Sequence, residues 1–166
     1  MRPEPIDREK SFGKNEFIVS KTDLKGRITY GNALFIEISG YDESRLLGAP
    51  HNILRHPDMP RAVFKLLWDT VEQKKEIFAY VKNLSSDGSY YWVLAQVTPS
   101  LDDRGDIIGY HSVRRCPSRE AIAVIAPLYA RLLEIEKQSG MEASIAHLMG
   151  ILNQKEISYD AFIHSL

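Results

Sequence analysis

Cysteine is nearly absent from this sequence, in which Cys116 is the single one among 166 residues. One cysteine cannot form an intrachain disulfide or a cysteine-rich zinc site, so we expect a reducing, cytoplasmic setting. An excess of charge of one sign is lacking as well, because 21 lysine and arginine residues face 22 aspartate and glutamate residues and the net charge is −1. A nucleic-acid-binding protein normally has a clearly basic domain, so this balance argues against that class.

The sequence also has no long hydrophobic run. The longest is Ala121–Ala130, which includes Pro127, whereas a membrane-spanning helix needs about 20 apolar residues. The residues before position 11 are polar and lack the apolar stretch of a secretory signal. We therefore expect no direct insertion into a membrane, and a position at the inner membrane would depend on a partner protein.

Motifs of catalysis are missing too. The chain has no GxGxxG, P-loop or GxSxG motif and no pair of carboxylates in a metal-binding spacing. His111 and His147 have no cysteine or carboxylate neighbours arranged as metal ligands. The sequence predicts that the protein is not an enzyme.

What the sequence does have is enough apolar material for a core, 44% hydrophobic residues, in an order that predicts an α+β domain. Two short strands near 17–20 and 27–30 precede several short helices, and a longer helix is predicted from Met59 to about Lys75. Three longer strands then follow, with a hairpin turn at Asp87–Gly88 between the first two. This order predicts a five-stranded antiparallel sheet that short helices cover on one face.

Pro117 marks a boundary in the chain. After it, apolar residues recur at helical spacing up to the C-terminus, and such faces need a partner, either the sheet domain or another chain. We therefore divide the chain into a flexible N-terminal arm (1–15), an α+β domain (16–116) and a C-terminal helical extension (117–166) for dimerisation or signalling.

Several stretches carry a resemblance to a known family: SKTDLKGRITYGN (20–32), EISGYDESRLLGAPHNILRHPDMPRAVFKLLW (37–68), VKN (81–83), DGSYYWV (87–93) and GYHSVRR (109–115). Through them residues 20–116 resemble a PAS domain, above all those of bacterial aerotaxis and energy-taxis receptors, for which HNILRHPDMP is almost diagnostic. PSREAIAVIAPLYARLLEIE and SYDAFIHSL resemble the standalone PAS subunit of bipartite energy-taxis systems. The resemblance implies a PAS fold and bound FAD, whose redox state reports respiratory electron flow.

The sharpest group of candidate site residues is Arg55-His56-Pro57-Asp58. The resemblance assigns Arg55 and His56 to the cofactor: Arg55 would contact a flavin edge or a phosphate through its fork of donors, and His56 would hydrogen-bond the flavin or stack near it. Asp58 has two interpretations, a cofactor contact or a cap on the helix that follows Pro60.

Two asparagines are further candidates. Asn83 shares a strand face with Ile77, Ala79 and Val81. A lone amide on an apolar face must find a partner, which the pyrimidine edge of a flavin offers and which nearby backbone also offers. Asn32 follows the second predicted strand, where cofactor contact and helix capping explain it about equally.

Three more residues complete the candidate set. The single-chain aerotaxis receptor usually has a flavin-holding tryptophan where this sequence has Ile77, so the binding mode departs from that pattern. Trp68 lies on a helical apolar stripe, where core packing is the expected role of its ring. His51 and His56 are each able to ligate haem iron, as a helix histidine does in some oxygen-sensing PAS domains. GAPHNILR (48–55) contains no cysteine, which argues against the photo-adduct of light-sensing flavin PAS domains.

The expected function is that of a cytoplasmic redox sensor for energy taxis. FAD would report by protein contact to a membrane-bound chemoreceptor-like partner, and the sensor would form a homodimer through its PAS domain and C-terminal helices. Two alternatives stay open: a haem-based oxygen sensor with His51 or His56 as the axial ligand, and a cofactor-free module that dimerises through its C-terminal apolar faces.

Overall fold

The computed structural model describes residues 1–166 and contains one antiparallel sheet. Its strands are β1 (Ile18–Thr22), β2 (Ile28–Gly31), β3 (Ile77–Leu84), β4 (Tyr90–Leu101) and β5 (Ile107–Arg115). They lie side by side in the order β2-β1-β5-β4-β3. The last strand therefore lies at the centre, between the N-terminal hairpin and the β3–β4 hairpin, and the predicted five-stranded antiparallel sheet is confirmed.

The segment between β2 and β3 forms the helical layer on one face of the sheet. It contains α1 (Ala33–Ser39), α2 (Glu43–Leu46), a 3-10 turn (His51–Leu54) and α3 (Arg61–Val71). Helix α3 is shorter than predicted at both ends. The chain leaves helical geometry after Glu72, and Lys74 has a positive φ of 62°.

The C-terminal extension folds back onto the same domain. It consists of α4 (Arg119–Ser139), α5 (Met141–Gln154) and α6 (Tyr159–His164). Tyr129 donates a hydrogen bond to the carbonyl of Tyr80 at 2.7 Å, and Tyr159 donates one to the carbonyl of Phe78 at 2.9 Å. Ile125 and Leu132 of α4 belong to the same hydrophobic core as Phe35 and Tyr91. The apolar faces that needed a partner find it in the chain's own sheet domain.

The N-terminal segment is docked where a flexible arm was expected. Its backbone pairs with the β3–β4 hairpin, where Ile6 N–H donates to Gly88 at 2.9 Å and Lys10 N–H donates to Tyr90 at 2.7 Å. An ion pair of 2.9 Å between Glu9 and Arg119 ties it to α4 as well. The sequence of this segment has no periodic apolar pattern and did not predict the contact, because backbone pairing does not need such a pattern.

No helix in the structure combines the length and the apolar character needed to cross a membrane.

Candidate functional site

A cavity of about 290 Å³ lies between the sheet and the helical layer. The sheet wall is made of inward-facing residues spaced two apart on their strands, as the pleat requires: Ser20, Thr22, Val81, Asn83, Ala95, Val97, Tyr110, Ser112 and Arg114. The helical wall includes His51, Asn52, Arg55, Phe64, Leu67 and Trp68. This volume is at the small end of the range for ligand sites, and the mixture of apolar walls with a few polar groups is typical of them.

His51 lies in the wall of the cavity, where a residue that contacts the cofactor is expected. Its Nε2 is 3.0 Å from the Ser20 hydroxyl, and its ring is 6.0 Å from that of Phe35. Burial, followed by the charge of Arg114, lowers the pKa of His51 to about 3. The imidazole is therefore neutral at physiological pH, with Nε2 engaged by the protein.

Arg55 and Asn83 are brought together at the cavity. Their backbones form an isolated bridge between the helical layer and β3. The Arg55 guanidinium carbon is 4.7 Å from the ring centre of Phe64, and Nη2 is 3.4 Å from the carbonyl of Met59. Asn83 is 5% exposed, and no hydrogen bond within the protein holds its amide. This amide is therefore free for a ligand.

His56 and Asp58 do not line the cavity, although both were candidates for contact with the cofactor. Arg55 is extended where it pairs with Asn83, so the next side chain points away from it. The His56 ring packs edge-on to Tyr90 at 6.2 Å, and its Nδ1 accepts the backbone N–H of Asp58 at 3.0 Å. Burial, assisted by the charge of Lys82, lowers the pKa of His56.

Asp58 does not cap the following helix either. It is exposed and pairs with Lys82 at 2.8 Å; this pairing lowers the pKa of the Asp58 carboxyl against the opposing effect of burial. The cap of α3 comes from Glu136 of α4, which accepts the N–H groups of Arg61 at 2.8 Å and Ala62 at 3.0 Å. Pro60 occupies the N-cap position and offers no side-chain acceptor.

Asn32 is a capping residue and does not line the cavity. Its Oδ1 accepts the N–H groups of Phe35 at 3.0 Å and Val19 at 3.1 Å, and its Nδ2 donates to the carbonyl of Phe17 at 2.8 Å. These three bonds join α1 to β1 and occupy the amide. Of the two interpretations of Asn32, the structure has capping.

Ile77 and Trp68 lie in environments other than those expected: Ile77 lies in the core, and Trp68 lines the cavity. Ile77 is 2% exposed and packs with Leu67, Val71 and Tyr110 without lining the cavity. Trp68, expected in the core, is 36% exposed and lines the cavity with its ring edge-on to Tyr110 at 5.1 Å. The buried face of α3 is centred on Val63, Leu67 and Val71, and Trp68 is rotated by about 100° from Leu67 around the helix axis.

Arg114 is the most deeply buried charged residue of the wall, and it was not among the residues named from the sequence. It lines the cavity, is 2% exposed, donates to the Ser20 hydroxyl and lies 5.2 Å from the ring centre of Phe35. Its Nε and Nη1 have no hydrogen-bond partner. Burial lowers the pKa of Arg114 to about 10, so it remains charged at neutral pH. The alternation of β5 carried the signal, because Tyr110, Ser112 and Arg114 share one face.

The chemistry of the wall residues suits a heteroaromatic ring such as a flavin. Phe64, Leu67, Val81 and Val97 offer apolar surface, and the free Asn83 amide offers both a donor and an acceptor. The structure contains no group of three histidine, cysteine, aspartate or glutamate side chains able to hold a metal ion.

The comparison with protein families identifies the domain. Residues 28–114 match the family model described as PAS fold. Among curated proteins, the aerotaxis receptor of Escherichia coli K12 is 42% identical over 115 residues, which are 69% of this chain and 22% of the receptor. The nitrogen fixation regulatory protein of Klebsiella pneumoniae is 30% identical over 97 residues, 58% of this chain and 20% of the regulator. The chain spans about a fifth of the length of these relatives.

Solved structures agree on the fold. The structure described as "Flavin Analogue Sheds Light on Light-Oxygen-Voltage Domain Mechanism" superposes with a TM-score of 0.60 at 19% identity, covering 66% of this chain and 84% of its own. The dark structure of the blue-light photoreceptor Aureochrome1 LOV superposes with a TM-score of 0.56 at 26% identity, covering 73% and 84%. The match to the PAS fold family model and the 42% identity to an aerotaxis receptor show that the chain belongs to the PAS family, with a domain of the aerotaxis-receptor type.

Proposed function

We propose that this protein binds FAD in the cavity and acts as a redox sensor for energy taxis. The observation that carries the proposal is the cavity itself, where apolar wall surface meets the free Asn83 amide and the unpaired Arg114 guanidinium. The 42% identity to an aerotaxis receptor favours this use of the cavity over the other uses of a PAS domain.

The residues divide by depth into those that would hold the ring and those that would hold the phosphates. Asn83 and Arg114 are 5% and 2% exposed, so they are the polar groups for the ring edge. Arg55 and Lys25 are more accessible members of the wall and are positioned for phosphate groups, which retain solvent. The departure at Ile77 is consistent with this arrangement, since Trp68 supplies an indole ring to the cavity.

FAD would supply reversible electron and proton uptake at its ring. The Asn83 amide presents a donor and an acceptor and can rotate, so it can hydrogen-bond a ring edge whose own pattern changes. Asn83 lies on β3 three residues after Tyr80, whose carbonyl accepts from Tyr129 of α4. A shift of β3 at the cavity would therefore reach the C-terminal extension through one strand.

The output of the sensor would be protein contact, without turnover of a substrate. In this proposal the protein is cytoplasmic, forms a homodimer and is held near the inner membrane by a chemoreceptor-like partner. Exposed apolar side chains such as Phe17, Ile108 and Val124, at 46%, 56% and 45%, offer surface for these contacts. A dimer would appear in sedimentation equilibrium as twice the mass of the chain.

The absorption spectrum of the purified protein tests the cofactor. We expect a yellow protein that releases FAD on denaturation, and Asn83→Ala should weaken FAD binding at least about tenfold because a ring-edge hydrogen bond is lost. Asn153→Ala, on the exposed face of α5, is the matched control and should bind FAD as the wild type does. A colourless protein that does not bind added FAD would refute the proposal.

A Soret band in that spectrum would select haem. The geometry favours this alternative less, because Nε2 of His51 lies against Ser20 and His56 lies outside the cavity.

A further inference from the structure

The charges around the cavity are all of one sign. Its wall contains Lys25, Arg55 and Arg114 and no aspartate or glutamate, while His51 is held neutral. Arg55 and Lys25 reach solvent, which screens their charges. Arg114 has no such screening, because it is 2% exposed.

Arg114 is a buried charge without a counter-charge. No carboxylate lies within ion-pair distance of it; Nη2 donates to the Ser20 hydroxyl, and the guanidinium carbon lies 5.2 Å from the ring centre of Phe35. Its Nε and Nη1 make no hydrogen bond. A buried guanidinium is normally paired, because removal of its hydration is unfavourable unless another charge compensates for it. The cation–π contact with Phe35 compensates in part.

We propose that Arg114 is the residue by which the cavity prefers a negatively charged ring ligand: the site binds the reduced, anionic flavin ring more tightly than the oxidised, neutral ring. This inference rests on the proposed function and deepens it. Two electrons and one proton convert the neutral ring into a reduced ring with one negative charge, and dithionite supplies the electrons in the experiment below. A positive charge in a poorly screened wall stabilises that negative charge.

FAD also carries negative charge on its phosphates, so an effect of Arg114 on the ring has to be separated from an effect on the phosphates. The depth of Arg114 favours the ring, because phosphates retain solvent and Arg55 and Lys25 already lie at accessible positions. Riboflavin has the ring and lacks phosphate, which makes it the probe that separates them.

The test is a redox titration of wild type, Arg114→Gln and Arg115→Gln, each loaded with FAD and then with riboflavin. Arg114→Gln should reduce the preference for the reduced ring over the oxidised ring about tenfold. For a two-electron couple this makes the midpoint potential of the bound flavin about 30 mV more negative. Arg115→Gln removes the same charge from the neighbouring exposed position of β5 and should leave the midpoint unchanged. Arg114→Lys keeps the charge and should retain most of the preference.

The outcomes separate this inference from the proposed function. If Arg114→Gln binds flavin with an unchanged midpoint potential, the role of Arg114 is overturned, whereas the proposed flavin sensor is not. A shift with FAD that is absent with riboflavin assigns the charge to phosphate and also overturns it. A wild type that binds neither flavin overturns the proposed function, and this inference with it.

Arg114→Met is the second variant in case Arg114→Gln does not fold. Replacing an unpaired buried charge by an apolar side chain of similar size is often neutral or stabilising, so ligand-free Arg114→Met should unfold at or above the temperature of the wild type. Its flavin midpoint should shift in the same direction as that of Arg114→Gln, and a midpoint equal to that of the wild type overturns the inference.

Discussion

At the scale of single residues, neighbours in the sequence have opposite environments. Arg55 lines the cavity while His56 packs against Tyr90 behind it. Arg114 is 2% exposed, whereas Arg115 is exposed on the other face of β5. The cause is the two-residue alternation of extended backbone, which reverses the direction of each successive side chain. The chemistry of the site therefore depends on strand register as much as on residue type.

His51 makes stability depend on pH. Its pKa is about 3 in the folded protein, against 6.5 as its ordinary value, so below pH 6.5 the unfolded chain binds a proton that the folded chain does not. Stability therefore falls as the pH falls from about 6.5 toward 3. Between pH 6.5 and pH 5, we expect the free energy of unfolding measured by urea denaturation to fall by about 1–2 kcal/mol less in His51→Gln than in the wild type.

The range from pH 7 to 8 is the internal control for this prediction. His51 is mostly neutral there in both states, so wild type and His51→Gln should show nearly parallel stability curves. His56, whose pKa is also lowered by burial, remains in both proteins and contributes equally. Equal losses in the two proteins at pH 5 would contradict the assignment.

At the scale of elements, α4 is attached to α3 by one carboxylate. Glu136 is 8% exposed, accepts the N–H groups of Arg61 and Ala62, and accepts a hydrogen bond of 3.0 Å from Ser144. It therefore joins the C-terminal extension to the helix that carries Phe64, Leu67 and Trp68 into the cavity wall. A negative charge at a helix N-terminus also interacts favourably with the helix dipole.

Removal of this cap should weaken the fold. Glu136→Ala leaves the first N–H groups of α3 without acceptors, and we expect a loss of about 1–2 kcal/mol in the free energy of unfolding measured by urea denaturation. Glu134→Ala removes an exposed carboxylate of the same helix, paired only with Arg131, and should change stability by less than about 0.5 kcal/mol. Similar losses in both variants would show that Glu136 is not a cap of this importance.

At the scale of the whole molecule, the sensor domain and its extension share one core. Ile125 and Leu132 of α4 are fully buried, and α4 also covers Tyr80 and Trp92, which are 2% and 8% exposed. Each large apolar side chain buried in this way contributes about 1.5–3 kcal/mol. The boundary at Pro117 therefore separates secondary-structure patterns, while packing continues across it.

A chain cut at this boundary should not retain the fold's stability. Residues 1–116 alone would expose Tyr80 and Trp92 and lose the Glu136 cap, so we expect aggregation on size-exclusion chromatography or a clearly lower thermal midpoint. A chain lacking only residues 1–5 is the control and should remain close to the full-length protein, since those residues have little backbone pairing. A monomeric 1–116 fragment with the full-length midpoint would argue against the shared core.

The fold followed from local sequence patterns, whereas the set of residues that line the cavity did not. Strand alternation, the Asp87–Gly88 turn and the run of helices are set by residues a few positions apart, and these predictions were confirmed. Arg55, Asn83, His51 and Trp68 were named from the sequence and do line the cavity. His56, Asp58, Asn32 and Ile77 were named with them and lie elsewhere, which the type of residue alone could not reveal.

The antiparallel sheet, its covering helices and the family could be predicted from the amino-acid sequence, because alternation, turns and motifs are properties of short stretches of chain. Tertiary structure alone decided that Glu136 caps a helix 75 positions away in the sequence and that Ser20 meets Arg114 across 94. It also left Arg114 without a counter-charge. Such facts depend on which distant groups share a low-dielectric interior, and that is decided when the whole chain packs.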